Sequence, residues 1–460
     1  PDAELIYVGK QANRHTMTQD QINEVLVEKA LEGKIVTRLK GGDPYIFGRG
    51  GEEAEYCRKH GVKFEVVPGI TSAISAPAYA GIPLTHRGYA SSVSIITGHE
   101  DPTKETSALN WEKLATATDT LVFLMGMSNL AKIVEKLITY GRPADTPVAL
   151  VRWGTTTKQE VLEGTLETIV EKVQSTGFKS PAIIVVGEVV KLRPTLRWFE
   201  DKPLFGKRIV VTRARAQASA LTERLMSLGA EPLECPTIKI SEPDSYEPVD
   251  AAIEGLAQGY DWIVFTSVNG VEYFLDRLFV KGKDIRALGE AKLAAIGTAT
   301  AGALRRRGLR VDFIPTEYRA EGLLAGFPTE EVSGKKVLIP RALEARTILP
   351  EELKRRGAKV LEVPVYKTVL DESEGETLVR ELSQGQVDAI TFTSSSTVKN
   401  FLTLLTKAGG SLDLIKGVTI ACIGPITAET TRAAGISVDL EADEYTIDGL
   451  VESLIEYFAQ

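Results

Sequence analysis

The stretch TMTQDQINEVLVEKALEGKIVTRLKGGDPYIFGRGGEE (residues 16–53) indicates the fold class. Its first half predicts a helix that Thr18 caps together with Gln21 and that ends at Gly33. The apolar side chains expected on the buried face of this helix are Ile22, Val25, Leu26 and Ala30. The segment KIVTRL (34–39) then predicts a short strand, so the glycines that follow are expected at its carboxyl end.

The same alternation of helix and strand continues downstream. EEAEYCRKHG (52–61) predicts a helix and FEVVPG (64–69) predicts a strand. TSAISAPAYAG (71–81) predicts a further helix that begins at Thr71 or Ser72. Such alternation is typical of an α/β fold with a largely parallel sheet, in which ligands bind beyond the carboxyl ends of the strands. The glycine-rich loop and the PGITSA turn are therefore expected to face one crevice.

The composition indicates a globular protein that acts on small molecules. A chain of 460 residues with 43% hydrophobic content is too long for one core, and it predicts about two to four domains. A net charge of -8 argues against a nucleic-acid partner or a membrane-surface partner. No apolar run approaches the roughly 18 to 20 residues that span a bilayer.

The three cysteines, Cys57, Cys235 and Cys422, stand far apart in the sequence. They form no CxxC or Cys/His spacing, so neither a disulfide framework nor a metal site is predicted. A reducing cytoplasm is the compartment that this cysteine usage favours.

The glycines of residues 41–51 form neither of the common phosphate cradles. Gly48 and Gly50 are followed at the third position by Glu53, which breaks the dinucleotide pattern G-x-G-x-x-G, and no Gly-Lys-Ser/Thr ending makes a P-loop. Without a Cβ, these glycines let a ligand approach the main chain closely. The local sequence leaves two interpretations open, a ligand-binding loop and a simple Gly-Gly-Asp-Pro turn.

Eight motifs spread over about residues 1–200 belong together. In chain order they are VGK, RLKGGDPYIFGRGGEE, VVPGITSA, GIPLTHRGYA, ITGH, LVFLMGM, VALVRWGTTTKQ and SPAIIVVGEVV. Their order and spacing resemble those of the uroporphyrinogen-III C-methyltransferases. The resemblance implies a tetrapyrrole methylase fold of two α/β subdomains. It also implies two methylations of uroporphyrinogen III with S-adenosylmethionine, which give precorrin-2.

The resemblance further implies the residues of a methyltransferase site. Those expected at S-adenosylmethionine are Gly41, Gly42, Asp43, Ile46, Thr71, Ser72, Met125, Gly154 and Ala182. Arg49 and Arg87 belong to the substrate side, where guanidinium groups suit the carboxylates of the macrocycle. Glu52 is a candidate proton acceptor or an orienter of Arg49, and Lys10 matches a position proposed as a proton donor. The alternatives are a solvated Lys10, a Glu52 that caps the next helix, and a Met125 that fills the core.

The pattern of this family begins earlier than the present sequence. The chain starts at Pro1 rather than at a methionine and runs at once into LIYVG, so we expect upstream residues to have been lost. The resemblance implies a further strand and a Gly/Pro/Asp-rich loop in that region, which form one wall of the cofactor site. The prediction is a methyltransferase domain over residues 1–200 that lacks this strand and loop.

A second unit begins near Gly206, after the run LRPTLRWFEDKPLFGK, whose charges, prolines and glycine predict a linker. The unit contains an internal duplication, because VFTSVNGVEYF (264–274) returns as TFTSSSTVKNF (391–401) at an offset of 127. RIVVTRA and KVLIPRA also pair, Arg213 with Arg341, at an offset of 128. The duplication predicts two homologous α/β lobes with a ligand cleft.

Helices in both lobes are predicted to follow strands that end in FTS or IG. Hydroxyls and main-chain N–H groups then gather at helix N-termini, where a substrate rich in carboxylates can be held. Ser267, Ser394 and Thr427 stand at such positions. The alternative is that they are ordinary N-caps.

The motifs VTR, FTSxNGV, IG, VYxT and IGP fall in order over about residues 206–460. This region resembles uroporphyrinogen-III synthase. The resemblance implies cyclisation of hydroxymethylbilane with loss of water and inversion of the last ring, without a cofactor. It also implies one lobe of about residues 206–244 plus 366–460 and an inserted lobe of about residues 245–365.

Tyr366 in VPVYKTV matches the family tyrosine placed near the departing hydroxyl, where a phenol can donate a proton or a hydrogen bond. The alternative is that Tyr366 belongs to the core or to the cleft wall. The residues expected to line the substrate cleft are Ser267, Thr300, Ser394 and Thr427.

Together these features predict a bifunctional enzyme of tetrapyrrole synthesis that leads toward sirohaem or corrinoids. The expected ligands are hydroxymethylbilane and uroporphyrinogen III, and the methyltransferase family implies a homodimer. One alternative is a two-lobed tetrapyrrole-binding protein, or a synthase, with an inactive methyltransferase module. Another is a nicotinamide-dependent dehydrogenase, which the broken G-x-G-x-x-G pattern disfavours.

Overall fold

The computed structural model describes most of the chain, namely residues 3–11, 14–15, 17–98, 109–213, 215–317, 320–327, 329–345 and 347–459. The chain divides into two compact units. The first unit consists of Pro1–Lys207 and Ser227–Glu231, and the second of Arg208–Met226 and Pro232–Gln460. Both units combine helices with sheets, so the predicted α/β class is confirmed.

The described helices and strands of the first unit are numbered in chain order. The helices are α1 (Gln19–Leu31), α2 (Gly50–Lys59), α3 (Ser72–Tyr79), α4 (Trp111–Ala117), α5 (Leu130–Thr139), α6 (Ile169–Thr176) and α7 (Arg193–Leu196). The strands are β1 (Lys10–Gln11), β2 (Arg14–His15), β3 (Val93–Thr97), β4 (Thr120–Leu124), β5 (Pro147–Arg152), β6 (Glu160–Thr165) and β7 (Ala182–Val186).

Five of these strands form one sheet in the order β3-β4-β7-β5-β6. The β3–β4 pairing is parallel and the other three pairings are antiparallel, so this sheet is mixed rather than largely parallel as predicted. Every residue of β4 and β7 is buried. Because side chains alternate along a strand, Leu121 and Phe123 pack with α5, whereas Val122 and Leu124 pack with α3.

Helix α1 begins as predicted. Gln21 donates its N–H to Thr18 Oγ1 at 3.3 Å, and Thr18 donates its N–H to Gln21 Oε1 at 2.8 Å, which completes a capping box. The predicted buried face is wrong in part, because the buried residues are Gln19, Ile22, Asn23 and Val27. Gln19 and Asn23 tolerate burial because their side chains bond to each other at 3.1 Å, which a search for apolar spacing does not detect.

The strands predicted at residues 34–39 and 64–69 are wrong. Neither segment forms a strand in the structure, and apolar side chains that a sheet would bury are exposed, among them Ile35 at 100%, Leu39 at 84% and Val67 at 82%. A strand depends on hydrogen bonds to a neighbouring strand, which a local apolar pattern does not supply. The glycine-rich loop is therefore not held at the end of a strand.

Much of the segment predicted as a linker, LRPTLRWFEDKPLFGK (192–207), packs on the first unit. The ring of Phe199 is buried and lies 4.8 Å from the ring of Tyr79. Trp198 donates its Nε1 hydrogen to the carbonyl of Ala78 at 3.1 Å. The first unit accordingly continues to Lys207.

The second unit has its own set of described elements, of which α8 ends and β9 begins at a residue that belongs to the first unit. Its strands are β8 (Arg208–Val211), β9 (Glu231–Glu234), β10 (Ile238–Ser241), β11 (Trp262–Phe265), β12 (Lys292–Ala295), β13 (Lys336–Ala342), β14 (Lys359–Leu370), β15 (Ala389–Phe392), β16 (Thr419–Cys422) and β17 (Leu440–Glu441). Its helices are α8 (Arg215–Ser227), α9 (Glu247–Gly255), α10 (Val268–Val280), α11 (Thr298–Arg306), α12 (Ala320–Gly326), α13 (Thr329–Val332), α14 (Ile348–Arg355), α15 (Gly375–Ser383), α16 (Ser395–Lys407), α17 (Pro425–Ala433) and α18 (Ile447–Phe458).

Two five-stranded sheets organise the second unit, in the orders β17-β16-β15-β8-β9 and β10-β14-β13-β11-β12. The two copies of the duplicated FTS segment follow β11 in one sheet and β15 in the other. Strand β8 pairs with β15 in parallel, although most of the unit separates them in sequence. The lobe boundaries given above stay a prediction. Among the described helices, none is both long enough and apolar enough to cross a membrane.

Candidate active sites

A cavity of about 480 Å³ lies in the first unit between helix α3 and the ends of strands β4, β5 and β7. Four of the residues predicted at the cofactor line it, namely Ser72, Met125, Gly154 and Ala182. The side chains that the structure shows lining it carry no formal charge, and the hydroxyls among them belong to Ser72, Ser75, Ser128 and Ser180. Apolar walls with a few hydroxyls suit a nucleoside ligand, so the cavity fits the adenosine part of the implied cofactor.

The backbone is strained at the rim of this cavity. Met125 and Trp153 both line it and have φ angles of +57° and +47°. Left-handed non-glycine residues cost on the order of 1–3 kcal/mol and concentrate at ligand sites. Trp153 is 41% exposed, and the guanidinium of Arg152 lies 3.7 Å from its ring centroid. Sequence reasoning missed Trp153, although its place in the VALVRWGTTTKQ motif is a signal for it.

Asp43 joins the glycine-rich loop to the loop that precedes α3. Its Oδ1 accepts the N–H groups of Tyr45 at 2.8 Å and Ile46 at 3.1 Å, and its Oδ2 accepts the N–H of Gly69 at 3.0 Å. These hydrogen bonds, led by that of Gly69, hold the pKa of the Asp43 carboxyl below its usual range. The carboxylate therefore stays ionised and ties the two loops together, and its predicted contact with the cofactor stays a prediction.

The same two loops touch through their main chains. A Cβ added at Gly69 would collide with the carbonyl oxygen of Gly42, and one added at Gly42 would lie 3.6 Å from the carbonyl oxygen of Ile70. Gly69 is thus required for the close approach. Thr71 follows this contact and is buried, where its hydroxyl accepts the N–H of Ala73 at 3.3 Å as the N-cap of α3. Gly41, Gly42 and Ile46 lie in the adjoining loop and do not line the cavity itself.

Arg49 and Glu52 form a two-pronged ion pair. The Nε and Nη2 atoms of Arg49 lie 2.8 and 2.5 Å from the two carboxylate oxygens of Glu52. The pair is half-exposed, and the hydrogen bonds that Arg49 donates to the Glu52 carboxylate raise the pKa of Arg49. Of the two roles predicted for Glu52, this geometry favours the orientation of Arg49. Arg49 is the N-cap residue of α2 and has a left-handed φ of +59°. This backbone conformation sets the direction in which the Arg49 side chain leaves the helix start.

Glu53, the next residue, carries a buried network that sequence reasoning missed. Its side chain is 7% exposed and accepts hydrogen bonds from Lys40 at 2.9 Å, Arg38 at 3.3 Å and Gln19 at 3.1 Å. The network links α1, α2 and the segment before the glycine-rich loop. The partners stand 13 to 34 residues from Glu53 in sequence, so no local spacing reveals them.

Replacing Glu53 by alanine is expected to lower the free energy of unfolding of the first unit by about 3–5 kcal/mol. The change removes a buried carboxylate and leaves Lys40 and Arg38 without their counter-ion. Urea denaturation of the full chain measures it. The matched control is Glu55→Ala, an exposed position of the same helix that should cost less than about 0.5 kcal/mol. A loss for Glu53→Ala no greater than that of the control would contradict the role given to the network.

Two predicted residues stand apart from this arrangement. The side chain of Lys10 lies outside the described residues, although its backbone belongs to β1. Arg87 is exposed, in a turn that the N–H of His86 closes on the carbonyl of Ala90 at 2.9 Å, and it is not among the residues that line the cavity. The roles predicted for Lys10 and Arg87 stay predictions.

In the second unit, Ser267 and Tyr366 meet. Ser267 is the N-cap of α10 and accepts the N–H of Gly270 at 2.9 Å, and its Oγ lies 3.0 Å from the hydroxyl of Tyr366. Tyr366 lies within β14, is 7% exposed, and has its ring 5.7 Å from the ring of Tyr273. Two residues that stand 99 positions apart in sequence are thus brought into hydrogen-bond contact.

The other lobe repeats the helix start without the phenol. Ser394 caps α16 and accepts the N–H of Thr397 at 3.3 Å, but its hydroxyl pairs with that of Ser396 at 2.9 Å. In the internal duplication, Arg341 corresponds to Arg213 at an offset of 128. At the same offset Tyr366 corresponds to Ile238, which has no hydroxyl.

The N-cap alternative is correct for two residues and wrong for a third. Ser267 and Ser394 are N-caps, whereas Thr427 lies inside α17, whose N-cap is Gly424. Thr427 and Thr300 are both buried, in the first turns of α17 and α11. Neither side chain is on an open surface, so their predicted contact with substrate stays a prediction.

Two family models match the chain. The model of tetrapyrrole (corrin/porphyrin) methylases matches residues 3–170, and that of uroporphyrinogen-III synthase HemD matches residues 219–452, about half of the chain. A protein of Ruminiclostridium josui named porphyrin biosynthesis protein HemD is 39% identical over 454 residues, which are 99% of this chain and 88% of that protein.

Similarity to a single unit is also found. An S-adenosyl-L-methionine-dependent uroporphyrinogen III methyltransferase of Methanosarcina barkeri is 58% identical over 194 residues, which cover 42% of this chain and 76% of that protein. A crystal structure of uroporphyrin-III C-methyl transferase from Thermus thermophilus, complexed with S-adenyl homocysteine, is 35% identical. It covers 42% of this chain and 80% of that chain, with a TM-score of 0.36.

Proposed function

This chain belongs to the uroporphyrinogen-III synthase HemD family and carries a tetrapyrrole methylase unit ahead of the synthase, and on that premise we propose a bifunctional enzyme. The second unit cyclises hydroxymethylbilane to uroporphyrinogen III, with loss of water and inversion of the last ring. The first unit methylates uroporphyrinogen III twice with S-adenosylmethionine and gives precorrin-2. The product of one unit is therefore the substrate of the other.

The observation that carries the methyltransferase proposal is the uncharged cavity in the first unit. It collects four of the residues expected at the cofactor, and its volume of about 480 Å³ is within the range of small-ligand sites. When bound, S-adenosylmethionine supplies an electrophilic methyl group on a sulfonium centre. Ser72, Ser128 and Ser180 would bind its polar groups, and Trp153 with Met125 would cover its apolar surface.

The ion pair of Arg49 and Glu52 serves the substrate in this proposal. A tetrapyrrole with several carboxylates is bound well by a guanidinium group whose orientation is fixed. Arg49 donates two hydrogen bonds to Glu52, and these fix the orientation of its guanidinium. Asp43 keeps the glycine-rich loop against the loop that precedes α3. The loop that carries Arg49 is thereby joined by the Asp43 side chain to the loop that leads into α3, whose Ser72 lines the cofactor cavity, which favours transfer in a fixed geometry.

For the synthase, Tyr366 supplies the proton. The hydroxyl of hydroxymethylbilane leaves as water after it accepts that proton, while the electron pair of the adjacent pyrrole nitrogen replaces the broken C–O bond. Ring closure then follows within the folded substrate, whose carboxylates the N-termini of α10 and α16 help to hold. Thr300 and Thr427 belong to the same cleft in this proposal.

Incubation of the full chain with hydroxymethylbilane, with and without S-adenosylmethionine, tests both activities. We expect uroporphyrinogen III in the reaction without S-adenosylmethionine and its dimethylated product in the reaction with S-adenosylmethionine. A second reaction starts from uroporphyrinogen III and tests the methyltransferase unit by itself. Heat-denatured chain is the control for spontaneous ring closure.

The possible results separate the two proposals. If neither product forms, the bifunctional enzyme is excluded. If uroporphyrinogen III forms and no methylated product appears from either substrate, the synthase proposal stands and the methyltransferase proposal fails. If only methylation of supplied uroporphyrinogen III is seen, the reverse holds.

We also propose a cytoplasmic homodimer formed through the methyltransferase unit. The three cysteines are free and buried thiols, and burial raises the pKa of Cys235 to about 12, which suits a chain that needs no disulfide. Light scattering should give a mass of about 100 kDa, twice the 50.0 kDa of one chain. A mass of one chain at micromolar concentration would contradict the dimer.

A further inference from the structure

Ser267 and Tyr366 form a hydroxyl pair at the start of α10. Their oxygens lie 3.0 Å apart, and the Ser267 oxygen also accepts the N–H of Gly270 at 2.9 Å. A serine hydroxyl has one hydrogen and two acceptor positions, and Gly270 uses one of those positions. The pair as a whole therefore has two hydroxyl hydrogens, of which one is used between the two oxygens and one remains to be donated elsewhere.

The surrounding residues fix both partners. Tyr366 is almost fully buried in β14 beside the ring of Tyr273, so its phenol oxygen has little freedom to move. Ser267 is half-buried, and its extended backbone with a φ of −161° places its oxygen over the first turn of α10. A Cβ at Gly270 would lie 3.0 Å from the carbonyl oxygen of Pro340 and 3.2 Å from Ser267 Oγ, so glycine keeps this turn close to β13.

We propose that Ser267 is a positioning residue for Tyr366 rather than a direct contact of the substrate. The N–H of Gly270 polarises the serine hydroxyl, which donates to the oxygen of Tyr366. The hydrogen of the Tyr366 hydroxyl is then free to be donated outside the pair, to the departing hydroxyl of the substrate. This inference rests on the proposed synthase activity.

In the proposed step, water leaves and a proton moves from Tyr366 to the substrate. The C–O bond of the hydroxymethyl group breaks, the tyrosine proton joins the departing oxygen to form water, and the pyrrole nitrogen supplies the electron pair that leaves a cationic azafulvene. The phenolate that remains on Tyr366 is stabilised by the hydrogen bond from Ser267, which strengthens as charge develops. When the macrocycle closes, the substrate releases a proton, which can return to the Tyr366 phenolate.

Three substitutions of Ser267 separate positioning from helix capping. Glycine starts a helix nearly as well as serine, whereas alanine does so poorly, and threonine keeps both the cap and the hydroxyl. We expect Ser267→Gly and Ser267→Ala to lower kcat for uroporphyrinogen III formation about equally, by roughly 10-fold, with KM unchanged. Ser267→Thr should restore kcat to within about threefold. A pure capping role would make alanine much worse than glycine.

A double substitution tests whether the pair acts as one unit. When two groups act together, removing the second costs little once the first is gone, so Tyr366→Phe with Ser267→Gly should be no slower than Tyr366→Phe. Thr446→Ala is the control, because it removes the cap of α18, where Thr446 accepts the N–H of Gly449 at 3.0 Å. It should leave kcat unchanged.

The outcomes are distinct. An unchanged kcat in Ser267→Gly, or losses that multiply in the double variant, would overturn the positioning role while the wild-type chain remains an active synthase. A wild-type chain that forms no uroporphyrinogen III would instead remove the proposed function itself. A kcat that falls with glycine and recovers with threonine supports the inference.

Discussion

Gly154→Val is expected to weaken the binding of S-adenosylhomocysteine by about 100-fold or more and to abolish methyl transfer, while uroporphyrinogen III is still made. A Cβ at Gly154 would lie 2.5 Å from the Cβ and 2.8 Å from the Cα of Ala76, so even the first added carbon forces a shift. Ala76 belongs to α3 and lines the same cavity, which means that the shift is taken up where the cofactor binds.

Calorimetric titration with S-adenosylhomocysteine measures this effect. Gly51→Ala is the matched control, because an added Cβ there meets nothing within 4 Å. Gly154→Ala provides a smaller change in case valine prevents folding, and thermal unfolding of each variant shows whether the unit is intact. Wild-type affinity in a folded Gly154→Val variant would show that this cavity is not the cofactor site.

Tyr366→Phe is expected to lower kcat for uroporphyrinogen III formation by about 10²–10⁴-fold, the usual contribution of a general acid. The substitution removes one oxygen and leaves the ring packed against Tyr273, so the loss of stability should stay near the 1 kcal/mol of a single hydrogen bond. Because the hydroxyl acts after binding, KM should change little.

Quenched reactions with hydroxymethylbilane, analysed for the isomers formed, measure this rate. Tyr260→Phe is the control, since Tyr260 is a partly buried phenol against the same core as Tyr366. Equal rates for wild type and Tyr366→Phe would refute the role of Tyr366 as proton donor. Equal losses in both phenylalanine variants would point to general damage of the lobe.

Features that depend on a few neighbouring residues were predictable from sequence. The capping box of Thr18 and Gln21, the N-cap of α3 at Thr71 and the caps at Ser267 and Ser394 each involve residues within three positions of one another. The duplicated segments likewise predict two similar sheets, because the repeat is visible as a constant offset.

Features that depend on distant residues were not predictable. Residues 34–39 have the composition of a strand, but strand formation depends on a partner that no local pattern specifies. From the sequence, Glu53 looks like a surface residue of a charged helix. Only the structure shows that Lys40 and Arg38 lie beside it. The bond between Ser267 and Tyr366 was hidden for the same reason, since each residue separately resembles a common cap or core residue.

The difference between the two helix starts gives the substrate a direction. Ser267 is bonded to a phenol, whereas Ser394 is bonded to another serine. A linear tetrapyrrole has unlike ends, and only one of them carries the hydroxymethyl group. Two identical lobes would accept the chain either way round. If Tyr366 is the proton donor proposed above, only the orientation that brings this end to Tyr366 can react. On that proposal, a chain bound in the reverse orientation would have no proton donor at its hydroxymethyl group.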